Sequence, residues 1–441
     1  MIEKSFFIRV IGCQMNVYDG DKLRGELLSR GWQEAESEDC ADFVVFLTCS
    51  VRERAEQKAA SEIGKFGKKW KKSHRPRLAL LGCMAARLGD NLARKFPWIA
   101  VAAGPAHMGL VPDAMDRALE TGARFVAGSE TRAAGPISCA PRSRGNPHKA
   151  YVTVANGCDQ FCAYCIVPYV RGRFASRAPD DVLDEARELV RNGAVEITLL
   201  GQNVDAYGKD FGGGARGRFA SLLNGVSSID GLRRVRFATS HPSDFTDDIL
   251  DVMGSRPNIC PSINLPVQAG SDRVLREMNR RYTKDEYVSL VRRIRAALPE
   301  PAITTDLIVG FPGETEDDFE ESVALFGELR FDLAHTAAYS PRDGTPAASR
   351  PDQVPAAERA RRLVRLNGVQ TEISRKINAS MVGKTYEVLL DEPAPKGEGM
   401  LQGRTATDKV VLVRAPLEMA GTFREARVIG SSPWCLEGEL V

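Results

Sequence analysis

Three cysteines lie close together in the segment NGCDQFCAYC. Cys158, Cys162 and Cys165 form a C-x3-C-x2-C pattern directly after an apolar run. Three thiolates on one loop can bind three irons of a 4Fe-4S cluster and leave the fourth iron open for a cofactor. A zinc site is the weaker alternative, because structural zinc usually has four ligands, often in paired C-x2-C units. Chance proximity of three buried cysteines is the other alternative.

A second set of three cysteines is dispersed along the first part of the chain. Cys13, Cys49 and Cys83 end the apolar runs SFFIRVIGC, DFVVFLTC and RLALLGC, which alternate with helical patterns. This alternation predicts parallel strands, whose carboxyl ends meet at one edge of a sheet. The three thiols are therefore expected to converge beside helix amino termini, which lower thiol pKa values. Ordinary burial of three small apolar side chains is the alternative.

The elements around these cysteines fall into three predicted domains joined by one linker. An N-terminal parallel α/β domain spans 3–125, and residues 126–145 are expected to be a linker because they are small, polar and aperiodic. A second βα series occupies 146–376. Short strands after a helical connector at 355–380 predict a small antiparallel β-barrel over 377–441. Its predicted strands are 386–390, 409–414 and 423–430.

The middle domain contains six strand-like runs separated by helical segments. Six βα units predict a partial parallel (β/α)6 barrel with its active site at the carboxyl ends of the strands, and an open doubly wound sheet is the alternative. The runs are 151–156, 196–200, 234–239, 262–267, 302–309 and 333–339, and the helical segments are 179–192, 245–254, 271–279, 284–298 and 315–329.

Composition narrows the class of protein. The 441 residues are 43% hydrophobic and 27% charged, as is typical of globular proteins. The net charge of +2 does not indicate a general affinity for polyanions such as nucleic acids. The amino terminus has no secretion signal and no apolar run is long enough to span a membrane, so we expect a soluble intracellular protein. In that compartment the ten cysteines would be reduced, catalytic or metal-bound.

The cysteine loop and the βα series after it resemble the radical S-adenosylmethionine (SAM) enzymes. The resemblance is carried by CDQFCAYC, with Tyr164 just before the last cysteine. It implies that the open iron of a 4Fe-4S cluster binds SAM. An electron from the cluster then cleaves SAM to methionine and a 5′-deoxyadenosyl radical, which abstracts hydrogen from an unactivated carbon.

A longer set of motifs resembles one family within that superfamily, the methylthiotransferases. The motifs are GCQMNVYDGDK, TCSVRERAEQK, GCMA, NGCDQFCAYCIVPYVRGR, LLGQNVDAYG, LPVQAGSDRVLREMNRRYT and DLIVGFPGETEDDF. The resemblance implies that Cys13, Cys49 and Cys83 hold a second 4Fe-4S cluster and that the C-terminal barrel is a TRAM RNA-binding domain. Gly20 and Ala269 stand where the family usually has serine, and neither is an implied ligand.

The resemblance is strongest to members that add a methylthio group to N6-isopentenyladenosine next to the tRNA anticodon. It implies two SAM molecules per turnover, sulfur from the second cluster, electron-donor and sulfur-donor proteins, and a cytoplasmic monomer. Members acting on threonylcarbamoyl-adenosine or on an aspartate of a ribosomal protein are the alternatives. A noncatalytic RNA-binding protein stabilised by metal is the alternative from another class.

Polar residues at predicted strand ends are candidate SAM or substrate contacts. Turn residues and strand-end caps have the same composition, so that role is the alternative for each. The candidates are Gln202, Asn203, Ser240, His241, Gln268, Gly310 and Glu314.

RNA binding has to come from local charge, because residues 376–441 carry a net charge of −1. The segment 64–77 has seven basic residues and no acid, with Phe66 and Trp70 interleaved, a pattern that suits phosphate contact or a solvated helix end. Arg276, Arg280, Arg281 and Lys284 form another basic group, expected near the mouth of the barrel.

Overall fold

The computed structural model describes residues 4–51, 53–127, 144–212, 217–395, 397 and 399–441. Most of the predicted linker, residues 128–143, lies outside the described residues, and so does Cys139. The chain divides into two compact units. The first comprises Met1–Asp159, Cys165–Gly193 and Leu200–Gln202, and the second comprises Gln160–Tyr164, Ala194–Leu199 and Asn203–Val441. The predicted domain boundaries stay predictions.

The first unit contains a six-stranded sheet in the order β2-β1-β3-β4-β5-β6. Every strand pair in it is parallel, which confirms the predicted N-terminal α/β fold. Its elements are β1 (Ser5–Ile11), α1 (Gln14–Ser29), β2 (Gln33–Glu34), β3 (Phe43–Thr48), α2 (Glu53–Ser73), β4 (Arg77–Gly82), α3 (Cys83–Lys95), β5 (Ile99–Ala103), α4 (Val111–Thr121) and β6 (Phe125–Val126).

Helices cover both faces of this sheet, which explains why its central strands read as continuous apolar runs. All six residues of β3 are buried. Phe43, Val45 and Leu47 pack in the core formed with α1 and α4. Val44 and Phe46 face the opposite core, formed with α2 and α3. The alternation of side chains along a strand therefore distributes one sequence run between two cores.

The rest of the first unit contains β7 (Lys149–Thr153), β8 (Ala155–Asn156), α5 (Val167–Arg171), β9 (Ala175–Ser176) and α6 (Pro179–Arg191). It contacts α1 through β7 and α3 through α5. A buried ionic group joins α1 to α6. Glu185 lies 3.0 Å from Lys22 Nζ and 2.8 Å from Arg177 Nη1, and the Tyr18 hydroxyl donates to it at 3.3 Å.

Replacing Glu185 by glutamine is expected to destabilise the first unit by about 3 kcal/mol. The substitution removes the carboxylate that offsets the charges of the buried Lys22 and the half-buried Arg177, and breaking a buried ion pair costs far more than a surface ion pair contributes. The midpoint of urea unfolding measures the loss. The matched control is Asp184→Asn on the same helix, where an exposed carboxylate pairs with Arg187. Equal losses in the two variants would contradict this account.

The second unit continues the βα series. It contains β10 (Glu196–Leu200, except its last residue), α7 (Arg218–Ser227), β11 (Arg234–Ala238), α8 (Asp247–Ser255), β12 (Ser262–Asn264), α9 (Asp272–Glu277), α10 (Lys284–Ala297), β13 (Ala302–Val309), α11 (Glu316–Leu329), β14 (Leu333–Ala338) and α12 (Ala356–Ala379). Strands β12, β13 and β14 are parallel neighbours, β10 neighbours β11, and a parallel bridge joins Val235 to Ile259. All predicted strands of the series occur, whereas α7 was not predicted.

The C-terminal strands form a closed barrel in the order β15-β16-β17-β19-β18. The strands are β15 (Thr385–Pro393), β16 (Met400–Thr405), β17 (Val410–Arg414), β18 (Phe423–Ser431) and β19 (Leu436–Leu440). The sequence predicted three of them and an antiparallel module. The structure corrects this, because β17 and β19 pair in parallel. Strands β16 and β19 carry Gly403 and Gly438, where a Cβ would lie 2.5 Å and 2.9 Å from the neighbouring strand.

Two arginines of β11 fasten this barrel within the second unit. Arg236 donates to the carbonyl oxygens of Thr405 at 2.7 Å and Ala406 at 2.9 Å, and it pairs with Glu196. Arg234 donates to the carbonyl oxygens of Arg404 and Glu387. These hydrogen bonds are made to backbone carbonyl oxygens of the barrel, so they place little restriction on which side chains the barrel carries.

The described helices differ from membrane-spanning helices in length or in apolarity. Within the parts of the chain that the structure describes, none combines the length and apolarity needed to cross a bilayer.

Candidate active site

Cys13, Cys49 and Cys83 meet at the carboxyl edge of the first sheet. The residues that end β1, β3 and β4 are aligned in register, so the cysteines that follow them start from one edge. Cys13 and Cys49 are joined by a side-chain hydrogen bond, and Cys83 is close enough to both to interact electrostatically. Cys49 and Cys83 are buried, whereas Cys13 is exposed. The structure thus brings these three predicted site residues together.

Asn16 positions the segment that carries Cys13. Its side-chain oxygen accepts from the Cys13 backbone N–H at 3.2 Å, and its amide donates to the Thr48 carbonyl oxygen at 3.4 Å. Gly82 makes room for this bridge with φ +94°, since a Cβ there would lie 2.4 Å from the Thr48 oxygen and 2.9 Å from Asn16 Nδ2. The predicted site did not include Asn16, although its place three residues after a helix cap is a recognisable capping position.

The same site contains a buried arginine and an aspartate that the sequence analysis missed. Arg171 Nε donates to Cys83 Sγ at 3.3 Å, and Arg171 Nη2 lies 3.6 Å from Asp19 Oδ2. The Arg171 side chain is only 3% exposed. Both terminal nitrogens of Arg171 and Asp19 Oδ2 have no hydrogen-bond partner among the described residues. Buried groups of this kind normally have partners, so the site is complete only with a further group.

The thiols are not equivalent in acidity. The hydrogen bond from Cys49 lowers the pKa of the Cys13 thiol to about 5, with further help from Arg171. The same bond and burial raise the pKa of Cys49. Burial raises the pKa of Cys83.

These residues fit a 4Fe-4S cluster better than a single metal ion. Among the described residues, no group of three or more His, Cys, Asp or Glu side chains is arranged to hold one ion. A cluster does not need such convergence, because each thiolate binds a different iron. Three ionised thiolates bound to a cluster would also bring negative charge to Arg171, whose terminal nitrogens have no partner.

The C-x3-C-x2-C loop begins beside Gly157, a position that no other residue type can occupy without strain. Gly157 has φ +73°, and a Cβ there would lie 2.1 Å from the Arg173 carbonyl oxygen and 2.5 Å from that of Gly172. The next residue, Cys158, donates its backbone N–H to the Gly172 oxygen at 3.3 Å. Cys158 and Cys165 belong to the first unit and are half-buried, whereas Cys162 belongs to the second.

Gly157→Ala is expected to cost about 2 kcal/mol or more of stability and to displace Cys158. The added Cβ meets backbone atoms, which cannot rotate away, and φ is positive. Thermal unfolding and iron content measure the two effects. The control is Gly64→Ala on α2, where a Cβ meets no atom within 4 Å and should stabilise the helix by about 0.5–1 kcal/mol. Wild-type stability in the Gly157 variant would contradict the prediction.

Cys162 is buried against Arg280 in the second unit. Arg280 Nη1 donates to Cys162 Sγ at 3.4 Å, Nε donates to the Tyr282 hydroxyl at 2.9 Å, and Nη2 donates to the Pro266 carbonyl oxygen at 3.1 Å. The Ala163 backbone N–H donates to the Met278 oxygen at 2.9 Å. Arg280 was predicted to belong to a basic group near the mouth of the barrel; its residue is 7% exposed and its guanidinium contacts a cysteine.

Three of the polar candidates gather around two aspartates that were not predicted. Ser240 Oγ and the His241 backbone N–H donate to Asp205 at 3.1 Å and 2.9 Å. Asn203 Nδ2 donates to Asp244 at 2.6 Å. Burial raises the pKa of Asp205 to about 8. Burial, reinforced by Arg280, lowers the pKa of His241 to about 2, so its ring is neutral.

The other four candidates belong to separate hydrogen-bonded groups. Gln202 lies in the first unit, where its amide donates to Met15 Sδ. Gln268 has φ +72° and bridges to β13, with its N–H on the Asp306 oxygen. Gly310 N–H donates to Glu314 at 2.6 Å, and Arg362 Nη1 donates to the same carboxylate at 2.8 Å. The roles of all seven candidates in cofactor binding stay predictions.

The basic segment 64–77 lies mainly on α2 and differs from a stacking surface for bases. Phe66 is buried in a core and Trp70 is half-buried against the same core, so the Phe66 ring is not free to stack on RNA. Lys65 and Lys69 pair with Glu62 and Asp39.

Three family models match the chain in sequence order. They are the Uncharacterized protein family UPF0004 over residues 5–104, the Radical SAM superfamily over 152–326 and the TRAM domain over 379–441. Together they confirm the predicted fold class of all three regions.

Relatives align with this chain from end to end. A protein of Carboxydothermus hydrogenoformans is 42% identical over 445 residues, with 100% of both chains covered, and is called tRNA-2-methylthio-N(6)-dimethylallyladenosine synthase. The chain belongs to this synthase family. A second member of the family, from Mycolicibacterium vanbaalenii, carries the same name and is 41% identical, with 99% of this chain and 83% of the relative covered.

Some solved structures of other proteins resemble this chain in fold alone. The radical SAM methyltransferase TsrM of Kitasatospora setae, solved with cobalamin and a [4Fe-4S] cluster, superposes with a TM-score of 0.57 at 15% identity and covers 79% of this chain and 74% of that chain. Membership of the Radical SAM superfamily entails SAM and a 4Fe-4S cluster as cofactors of the synthase family.

Proposed function

We propose that this chain converts N6-isopentenyladenosine (N6-dimethylallyladenosine) 3′ of the tRNA anticodon to its 2-methylthio derivative. Relatives that bear the corresponding name match its whole length. The observation that carries the proposal is the meeting of Cys13, Cys49 and Cys83 beside Arg171, because sulfur insertion needs a sulfur-carrying centre in addition to a source of radicals.

Each set of cysteines has a separate role in this proposal. Cys158, Cys162 and Cys165 hold the cluster that binds SAM, and Cys13, Cys49 and Cys83 hold a second 4Fe-4S cluster. When bound, these groups supply a radical that removes hydrogen from the adenine ring, a sulfur atom and a methyl group, with two SAM molecules used per turnover.

The chain's own side chains control charge at both sites. Arg280 donates to Cys162 and Arg171 donates to Cys83, so each cluster would lie beside one buried guanidinium. A cation there favours the thiolate form, which is the form that binds iron. Burial of these arginines keeps water away from the hydrogen bonds to sulfur and so strengthens them.

The remaining partners follow from the substrate. We propose that the C-terminal TRAM barrel contacts the tRNA and that the target base leaves its stack in the anticodon loop, where unstacking is cheaper than in a duplex. An electron donor and a sulfur donor protein would restore the clusters, and the enzyme would act as a monomer in the cytoplasm.

Nucleoside analysis tests the substrate directly. We expect the tRNA of cells that lack this protein to lose 2-methylthio-N6-isopentenyladenosine and to accumulate N6-isopentenyladenosine, as measured by mass spectrometry. Complementation with the wild-type gene should restore the methylthio nucleoside. Loss of a methylthio group from threonylcarbamoyl-adenosine, or from an aspartate of a ribosomal protein with tRNA unchanged, would contradict the proposed substrate. A colourless, zinc-loaded anaerobic preparation would contradict the enzymatic function.

A further inference from the structure

Arg171 presents unsatisfied hydrogen-bond donors beside the three N-terminal cysteines. A guanidinium has five N–H groups. In Arg171 only Nε has a hydrogen-bond partner, Cys83 Sγ, and the four N–H groups on Nη1 and Nη2 have none among the described residues. Since Asp19 Oδ2 lies 3.6 Å from Nη2, it offers charge without a hydrogen bond.

Packing holds this guanidinium in place. Arg171 is the last residue of α5, and Ile166 and Val170 form one apolar cluster with Cys83. The chain then turns at Gly172 with φ +82°. The helix that carries Arg171 is therefore packed against Cys83, and the arginine side chain is only 3% exposed. A buried cation that is held in this way is unfavourable unless an anion completes its partners.

The neighbours of the unfilled donors indicate the chemistry of that anion. The polar groups that interact with Arg171 are the thiols of Cys83 and Cys13 and the carboxylate of Asp19, and Cys13 is the exposed one of the three N-terminal cysteines. The two N–H groups on Nη1 and the two on Nη2 can together donate to an anion that accepts several hydrogen bonds. A small anionic sulfur species suits a site formed largely by sulfur.

We propose that Arg171 binds the sulfur anion to be transferred, sulfide or methanethiolate, through Nη1 and Nη2. This rests on the proposed function, in which the same cysteines hold a second cluster. In this role Arg171 contacts the transferred sulfur directly through hydrogen bonds and carries out no bond change itself. Asp19 opposes it, since its negative charge lies beside the same nitrogens and repels an incoming anion.

The test isolates the second cluster in a full-length chain with Cys158, Cys162 and Cys165 replaced by alanine. After anaerobic reconstitution, sodium sulfide and sodium methanethiolate are titrated in separate arms, and the electron paramagnetic resonance spectrum of the reduced cluster reports binding. We expect Arg171→Gln to weaken binding about tenfold or more, because a charge-assisted hydrogen bond is lost. Arg171→Lys should restore part of the affinity. The anion with the larger loss identifies the species that is held.

A matched control separates this effect from the general loss of a buried arginine. Arg177→Gln removes an arginine of the same unit that pairs with Glu185, and it should leave the anion affinity unchanged. Asp19→Asn removes the opposing charge and should tighten binding several-fold. This variant keeps the proposal testable if Arg171→Gln does not retain its cluster.

Two results would overturn the proposal in different ways. Unchanged anion affinity in Arg171→Gln with its cluster intact, or in Asp19→Asn, would overturn the role of Arg171 alone. Absence of iron and sulfide from the alanine-substituted background would overturn the second cluster, and the role of Arg171 with it. Iron content and the cluster spectrum distinguish these outcomes before any anion is added.

Discussion

Replacing Cys158, Cys162 or Cys165 by alanine should reduce SAM cleavage to the level of a protein-free reaction. With three thiolates, a 4Fe-4S cluster keeps one open iron for SAM, and with two thiolates the cluster lacks one of the ligands that hold it. The measurement is the amount of 5′-deoxyadenosine formed anaerobically with a chemical reductant. The residual iron should be that of the other cluster.

Control substitutions distinguish loss of a ligand from loss of a cysteine in general. Cys40, Cys260 and Cys435 lie outside both sets, and Cys40→Ala, Cys260→Ala and Cys435→Ala should each cleave SAM at the wild-type rate. The same is expected of Cys139→Ala, at a position outside the described residues. Normal 5′-deoxyadenosine formation by Cys162→Ala would show that this assignment is wrong.

Replacing Cys13, Cys49 and Cys83 together should separate radical formation from sulfur insertion. The variant keeps the loop that holds the SAM cluster, so 5′-deoxyadenosine should still form. Methylthiolation of tRNA should fall to background, because the proposed sulfur-carrying centre is lost. Mass spectrometry of the nucleosides and quantification of 5′-deoxyadenosine in the same reaction measure both outcomes.

A structural control is needed here, because Cys49 and Cys83 are buried at strand ends. Serine at the three positions keeps the side-chain size close to that of cysteine and tests whether loss of packing explains the effect. Thermal unfolding should be similar in the serine and alanine variants if the sheet is intact. Methylthiolation retained in either variant would place the sulfur-carrying centre elsewhere.

The sequence was sufficient to predict where along the chain most strands of the sheets occur. Continuous apolar runs such as FVVFLT predict strands that are buried on both faces, and the structure has β3 there. The alternation of strands and helices also predicted that parallel strands place Cys13, Cys49 and Cys83 at one edge of the first sheet. Strands β16 and β19 escaped prediction because glycines and charges interrupt them, and only pairing with their neighbours in the barrel defines them.

The sequence alone was less able to assign polar residues to sites. Arg280 lies among other basic residues in the sequence, and nothing there indicates that it is buried with Cys162, which is 118 positions away. Phe66 and Trp70 interrupt a basic run in the sequence, yet Phe66 is buried in a core and Trp70 packs against it. Local composition does not record which face of an element is covered, and that decides the role of each side chain.

The amino-acid sequence by itself determined the two sets of cysteines, the order of strands and helices and the family, because these depend on residue type and spacing along the chain. The tertiary structure alone decided which charged groups accompany the cysteines. Arg171 and Cys83 are separated by 88 positions, and their hydrogen bond depends on the packing of α5 against the end of β4. Long-range contacts of this kind arise when burial removes side chains from water and requires partners for their charges, a condition that no local pattern expresses.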